Sequence, residues 1–257
     1  MTSPSVNQAI LRVVEEMHER LDQELTIDDM ARVAMFSKFH FTRIFRHTTG
    51  TSPRRFLSAL RIQEAKHLLV STDMSVADVS SRVGYSSVGT FSTRFKTCVG
   101  VSPSMYRESG GDVSALGPAP VRAAGDGPAP LTIRGRAVLP GDRALGQVFI
   151  GLFPSAILQG RPVRHTVMDG PGPFQLHDVP PGTWHVLAYS VPYGTPLPAG
   201  QGGYAPDTLS IGRYGPVTVQ PGVAVLPADI VLRPADPLDP PILVALSGRD
   251  LRTPVAA

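Results

Sequence analysis

Cysteine occurs once, at Cys98, so no disulfide can form within the chain and a cross-linked secreted scaffold is excluded. A single thiol suits a reducing compartment. No apolar run approaches the roughly 20 residues that cross a bilayer, and no secretory leader opens the chain. A cytoplasmic protein without a membrane partner is therefore expected. Catalytic signatures are missing as well. There is no H-E-x-x-H, no H-x-E, no paired cysteines and no G-x-S-x-G elbow. His165, His177, His185 and Asp178 are scattered without ligand or triad spacing, so no enzyme, no metal and no cofactor is expected. Cys98, Phe174 and Trp184 read as core residues.

Proline is nearly absent from the first 110 residues, which hold only Pro4, Pro53 and Pro103, while the other 23 come later. Helix interiors reject proline, whereas loops and strand edges accept it, so the chain reads as helical first and β-rich afterwards. Charge is just as uneven. Residues 111–257 contain no Lys and no Glu, with ten Arg balancing ten Asp. Residues 1–34 carry three Arg against seven acids, and residues 35–107 carry eleven Lys and Arg against Glu64, Asp73 and Asp78. A basic block between an acidic start and a neutral end points to phosphate, and so to nucleic acid.

What is present in the first part is a duplication. "FRHTTGTSPRRFL" at 45–57 returns as "FKTCVGVSPSMYR" at 95–107. Seven helices follow from period and caps. Ile10, Val13, Val14 and Met17 give an amphipathic helix over 7–20. Thr26 with Asp29 opens a short helix to Ala34, and Ser37 caps one reaching Thr49. Pro53 opens a long helix to Val70. Ser75 with Asp78 begins a helix ending near Val83, Ser86 or Ser87 begins one reaching Cys98, and Pro103 opens the last. The short helices repeat at an offset of 49 and the longer ones at 50, so the second copy holds one extra residue at its turn. Each copy is a helix-turn-helix unit.

In the first copy Phe41, Ile44 and Phe45 share one helix face, with Phe39, Thr42, Arg43 and Arg46 opposite. In the second, Phe91, Phe95 and Cys98 face inward, with Gly89, Ser92, Thr93 and Lys96 outward. A polar and basic stripe backed by an apolar one is what a helix in a major groove requires. The connecting helix is about 27 Å long at ~1.5 Å per residue. That is comparable to one turn of B-DNA, about 34 Å, so one chain can offer two helices to successive grooves.

On these units, on "RIQEAKHLL" in the linking helix and on the closing "VGYSS…FSTRFKTCVGVSPSMYR", residues 7–108 resemble the DNA-binding domain of AraC/XylS-type transcription regulators. The resemblance covers about the first two-fifths of the chain. It implies base contacts from Phe39, Thr42 and Arg43 in one reading helix and from Val88, Gly89, Thr90, Ser92 and Thr93 in the other. Arg46, Lys96 and the helix-start amides then meet phosphates. It also implies double-stranded DNA and RNA polymerase as partners. Met35 stands where the family places glycine, as Gly84 does in the second copy, so a strained first turn is expected.

From Leu131 the text changes to short apolar or alternating runs: "LTIRGRAVL", "GQVFIGLF", "PVRHTVM", "GPFQLHDV", "GTWHVLAYSV", "DTLSIGRY", "GPVTVQ" and "VAVLPADIVLR". Seven or eight strands punctuated by Gly and Pro predict an antiparallel β-sandwich. "GPFQLHDVPPGTWHVLAYS" with "RGRAVL…GQVFIGLF" resembles carboxypeptidase regulatory-like, or transthyretin-like, sandwiches. His177 falls on the solvent side of its strand.

The expected fold class is thus multidomain α and β. A double helix-turn-helix domain spans 1–108, a flexible linker 109–130, a β-sandwich 131–235 and a C-terminal tail 236–257. The expected function is sequence-specific DNA binding and transcription regulation, with the sandwich sensing a small-molecule effector or making protein contacts. The alternative is a carbohydrate- or peptide-binding module carried by the sandwich.

Overall fold

The computed structural model describes residues 4–111, 131–141, 146–192 and 209–244. Most of the 109–130 linker and the end of the tail lie outside the described residues. The chain divides into two compact units. The helical one combines Met1–Gly111 with Asp236–Val244, a segment from the far end of the sequence.

Seven helices form where the caps predict them. They are α1 (Pro4–Glu19), α2 (Ile27–Val33), α3 (Lys38–Thr49), α4 (Pro53–Ser71), α5 (Val76–Arg82), α6 (Val88–Val99) and α7 (Pro103–Glu108). Thr26, Ser37, Ser75, Ser87 and Ser102 are the N-caps, each accepting a hydrogen bond from the amide three residues on. Such caps satisfy amides that the first helical turn leaves without partners. Gly50 and Gly100 end α3 and α6 in the left-handed region, φ 80° and 100°, where a Cβ is penalised.

The first half packs Ile10, Val13, Val14 and Met17 against Met30, Phe41, Phe45, Phe56 and Leu60. Phe45 sits edge-on to both Phe41 and Phe56, with ring centroids 5.5 Å apart in each pair. The second half repeats the device. Phe91 lies between Tyr85 and Phe95, at 5.5 and 5.7 Å, and Phe95 meets Tyr106 of α7 at 5.6 Å. Each buried Phe contributes roughly 2–3 kcal/mol of apolar transfer free energy. Between the halves α4 is buried on most of its circumference, through Phe56, Ala59, Leu60, Ile62, Gln63, Ala65, Lys66 and Leu69, as expected of an interior strut.

The two helix-turn-helix turns differ by the residue read from the sequence, 34–37 between α2 and α3 against 83–87 between α5 and α6. Met35 has φ 58° and Gly84 φ 78°. They tolerate different residues for a steric reason. A Cβ on Gly84 would run into the Leu21 carbonyl oxygen and come within 2.8 Å of Arg61 Nη2. Met35 projects outward and is 84% exposed.

The β unit holds β1 (Leu131–Val138), β2 (Gln147–Phe153), β3 (Arg164–Asp169), β4 (Gly172–Val179), β5 (Gly182–Ser190), β6 (Ser210–Val219), β7 (Ile230–Val231) and β8 (Arg233–Pro234). The sheet orders are β4-β1-β7 and β3-β2-β5-β6-β8. Ile133, Ala137, Phe174, Leu176 and Ile230 of the smaller sheet share one core with Val148, Ile150, Leu152, Val186, Ala188, Val217 and Val219 of the larger. Trp184 packs on that core and donates its indole N–H to the Pro180 carbonyl at 3.0 Å.

Three expectations need correction. The sheets are not wholly antiparallel, because β7 pairs parallel to β1. "DTLSIGRY" and "GPVTVQ" are not two strands but parts of one, β6, which passes Gly215 and Pro216 where the pairing with β5 shifts register between Trp184 and Val186. A bulge there removes the need for an amide that proline lacks. "VAVLPADIVLR" yields only the two-residue β7 and β8. There the Asp229 carboxylate, not a backbone carbonyl, accepts from the Arg136 amide at 2.9 Å. Asp178, with φ 53°, sits at another irregularity, where Leu131 opposes Val179 but Ile133 opposes Leu176. Its place is that of an extra residue in a bulge.

Met35→Gly should raise the stability of the helical unit by about 1 kcal/mol by removing a left-handed non-glycine residue. Gly84→Ala should lower it by more than that, through φ and the blocked Cβ. Urea unfolding followed by far-ultraviolet circular dichroism measures both.

Candidate nucleic-acid interface

Helix α3 starts at the Ser37 cap, whose Oγ accepts from the His40 amide at 3.4 Å. Phe41 and Phe45 are buried on one face, and Phe39, His40, Arg43, Arg46 and His47 are exposed on the others. Phe39 is 88% exposed, an unusual cost for an aromatic side chain. Arg43 lies beside His40, Nη2 to Nδ1 3.5 Å. Thr42 is half-buried, and its hydroxyl donates to the Lys38 carbonyl at 2.8 Å. That spends the polar group on its own helix and leaves the methyl as the outward chemistry.

Helix α6 has the same build with shorter side chains. Ser87 Oγ accepts from the Thr90 amide at 3.4 Å. Val88 is 42% exposed. Gly89, Thr90, Thr93 and Lys96 are exposed, and Ser92 is half-buried. Nothing packs where a Gly89 Cβ would stand, the nearest atom being Ser87 Oγ at 3.8 Å. Internal packing therefore gives no reason for a glycine, which in a helix costs up to about 1 kcal/mol against alanine. Its absence of side chain leaves the helix start open to close approach from outside. Every residue singled out in the sequence thus lies on an exposed or half-buried surface of α3 or α6, with Phe41, Phe45, Phe91 and Phe95 behind them.

The basic block divides into two groups. Arg43, Arg46, Arg54, Arg55, Arg82 and Lys96 are exposed, and among the described residues none makes an ion pair. Lys38 is neutralised by Asp28 at 2.9 Å. Four others serve the interior. Arg61 donates to the carbonyls of Gly84 (3.1 Å) and Gln23 (2.7 Å). Arg94 donates to Ser58 Oγ at 3.1 Å, and Arg107 to the carbonyls of Leu69 (3.1 Å) and Met74. Lys66 is buried. Local charge counting assigns all eleven to a phosphate surface. The available signal for the inward four is that each interrupts or flanks an apolar helix face, as Arg61 does between Leu60 and Ile62.

The family model described as a helix-turn-helix domain matches residues 30–109. The chain is 35% identical over 89 residues to the HTH-type transcriptional activator AarP of Providencia stuartii, covering 35% of this chain and 66% of that protein. It is 39% identical over 92 residues to the MmsAB operon regulatory protein of Pseudomonas aeruginosa, covering 36% of this chain and 30% of that one. A solved transcriptional regulator with an AraC-type DNA-binding domain, from Chromobacterium violaceum, is 25% identical over 40% of this chain and 93% of its own, with a TM-score of 0.39. The chain thus spans less than two thirds of either curated relative's length.

One titration in the helical unit is set by a helix cap. Thr26 and Asp29 close a reciprocal capping box on α2. Hydrogen bonds from the Thr26 hydroxyl and amide, and then from Arg32, hold the Asp29 carboxyl down at about 2. A carboxyl lowered by folding stabilises above its ordinary value near 3.8, and that contribution is lost as pH falls toward 2. The domain should therefore lose stability between pH 4 and pH 2. Asp29→Asn should flatten that part of the profile, measured as melting temperature against pH.

Proposed function

We propose that this chain is a transcription regulator of the AraC/XylS type, in which one polypeptide reads duplex DNA with α3 and α6 in successive major grooves. The observation that supports this best is the repeated arrangement itself. Two serine-capped helices are backed by paired phenylalanines and joined through a 19-residue helix. Their outer faces carry cations that no carboxylate among the described residues neutralises. A solvated surface has no need of exposed Phe39 and Val88 at the starts of both helices.

In this reading Arg43 hydrogen-bonds a guanine edge, and Phe39 and the Thr42 methyl meet thymine methyl groups. Val88, Gly89, Thr90, Ser92 and Thr93 form the second, closer and less polar contact, where DNA shape contributes more of the discrimination. Arg46 and Lys96 meet phosphates. The β unit is a sandwich of the carboxypeptidase regulatory-like or transthyretin-like kind that takes a small-molecule effector or a protein. RNA polymerase is the partner that turns DNA binding into regulation, in the cytoplasm.

Selection from a random duplex pool should return sites with two elements about one helical turn apart. Arg43→Ala should weaken binding to the selected site by about 1–3 kcal/mol and relax preference at one base pair. Affinity should fall steeply with salt, and Arg46→Ala should reduce that slope by about one phosphate contact. Parent-like binding by Arg43→Ala would reject the assigned readout.

A further inference from the structure

Residues Asp236–Val244, "DPLDPPILV", begin one residue after β8, yet they belong to the helical unit. The segment opens with a turn tied to itself. The Asp239 amide donates to the Asp236 carbonyl and the Leu238 amide to Asp236 Oδ1, each at 2.8 Å, while the Asp236 amide donates to Asp239 Oδ2 at 2.8 Å. Leu238 then packs on the core of the first helix-turn-helix half. Ile242, Leu243 and Val244 are buried.

The contact in the middle of α4 is unusual. Lys66 is buried, and its one described hydrogen-bond acceptor is the Ile242 carbonyl, 176 residues away, at 3.4 Å. Its ammonium lies 5.9 Å from the centre of the Tyr106 ring, which packs on Phe95 of the second half. No carboxylate among the described residues pairs with it. Burial pushes its titration down from 10.5 to about 8, so at neutral pH it is an ammonium held where a charge is costly. Apolar burial of the segment therefore favours docking, and desolvation of Lys66 opposes it. Opposed terms of this kind make a contact releasable, unlike the uniformly apolar packing under α3 and α6.

We propose that the helical unit carries a docking groove for a proline-rich apolar peptide, running from the core beneath Leu238 to Lys66 and Tyr106. Its occupant is the chain's own Asp236–Val244, and occupancy adds to the α4 strut and the Arg61 bonds in holding the two reading helices relative to each other. The occupant is argued from the segment seated there and from its reach, since Leu238 joins the core of one half and the Ile242 carbonyl meets the lysine beside the core of the other. The coupling to reading rests on the DNA-binding function proposed above, whereas the docking does not. Because Asp236 continues from the short edge strand β8, which pairs with β6 only at Ser210 and Ile211, rearrangement of that edge is the event expected to release the segment.

The test uses the full chain and two variants, Leu238→Asp and Lys66→Met. Amide hydrogen exchange at Ile242, Leu243 and Val244 reports docking, and anisotropy with duplexes carrying both elements or one reports reading. Leu238→Asp should accelerate exchange at these three amides at least tenfold while α1–α7 stay protected. It should also lower affinity for the two-element duplex about tenfold or more, with the one-element duplex unchanged. Lys66→Met should slow exchange about tenfold at pH 7. If Leu238→Asp unfolds the helical unit, the Lys66→Met exchange rate decides the docking alone, and an unchanged or faster rate overturns it. Retained protection in Leu238→Asp overturns the groove. Lost protection with parent-like two-element affinity overturns the coupling. Protection in the parent that grows with protein concentration, together with a doubled mass in light scattering, would assign the groove to a second copy and overturn docking within one chain. Failure of the parent to bind any duplex refutes the DNA reading but leaves the exchange result to judge the groove.

Discussion

The guanidinium of Arg61 reaches in two directions from the side of α4, to the Gln23 carbonyl after α1 and to the Gly84 carbonyl in the turn before α6. One side chain thereby bonds the backbone of both helix-turn-helix halves. Arg94 adds a link from α6 to Ser58, and Arg107 one from α7 to the end of α4 at Leu69. Three of these four bonds are partly buried, and hydrogen bonds of charged groups contribute roughly twice what neutral ones do. They also have fixed geometry, which apolar packing alone does not give. Two reading helices on separate, loosely joined modules would each bind weakly and independently. In the proposed function, helices held on one strut act as a single ligand whose spacing is set before DNA arrives, with the ordering entropy already met by folding.

The same constraint explains why the two turns differ. Gly84 lies where the Arg61 bonds and the Leu21 carbonyl converge, so the chain must approach closely and only glycine fits. Met35 occupies the corresponding turn of the first copy without that crowding, and accepts a left-handed backbone with its side chain in solvent. The duplication is therefore exact in caps and aromatic pairs but not in its surroundings. Charge follows this pattern too. The block that looked uniformly basic separates into cations that face outward from α3, α5, α6 and the start of α4 and cations that organise the interior around α4.

The helical unit was largely legible because its signals are local. Thr26, Ser37, Ser75 and Ser87 announce helix starts within four residues, and Pro53 and Pro103 occupy first turns. The outward placement of Phe39, Arg43, Thr93 and Lys96 follows from helical period alone. The β unit was less so. Alternation located β1, β2, β4 and β5, but whether "DTLSIGRY" and "GPVTVQ" make one strand depends on a register shift in the facing strand, and the parallel β7 depends on where the chain returns. The inward roles of Arg61 and Lys66 were hidden for the same reason. Their partners, Gly84 and Gln23 for one and Ile242 for the other, are fixed by tertiary structure and not by spacing. Least legible was "DPLDPPILV", whose prolines and aspartates read as tail until Ile242 is found on Lys66.

If α4 presents α3 and α6 as one rigid reader, base pairs inserted between the two elements of a selected duplex must change the affinity of the full chain, measured by anisotropy. Five added base pairs turn one element about half a helical turn away from the other. The account predicts that this insertion reduces binding to that of a duplex with a single element. Affinity that stays constant across one to five inserted base pairs would contradict it.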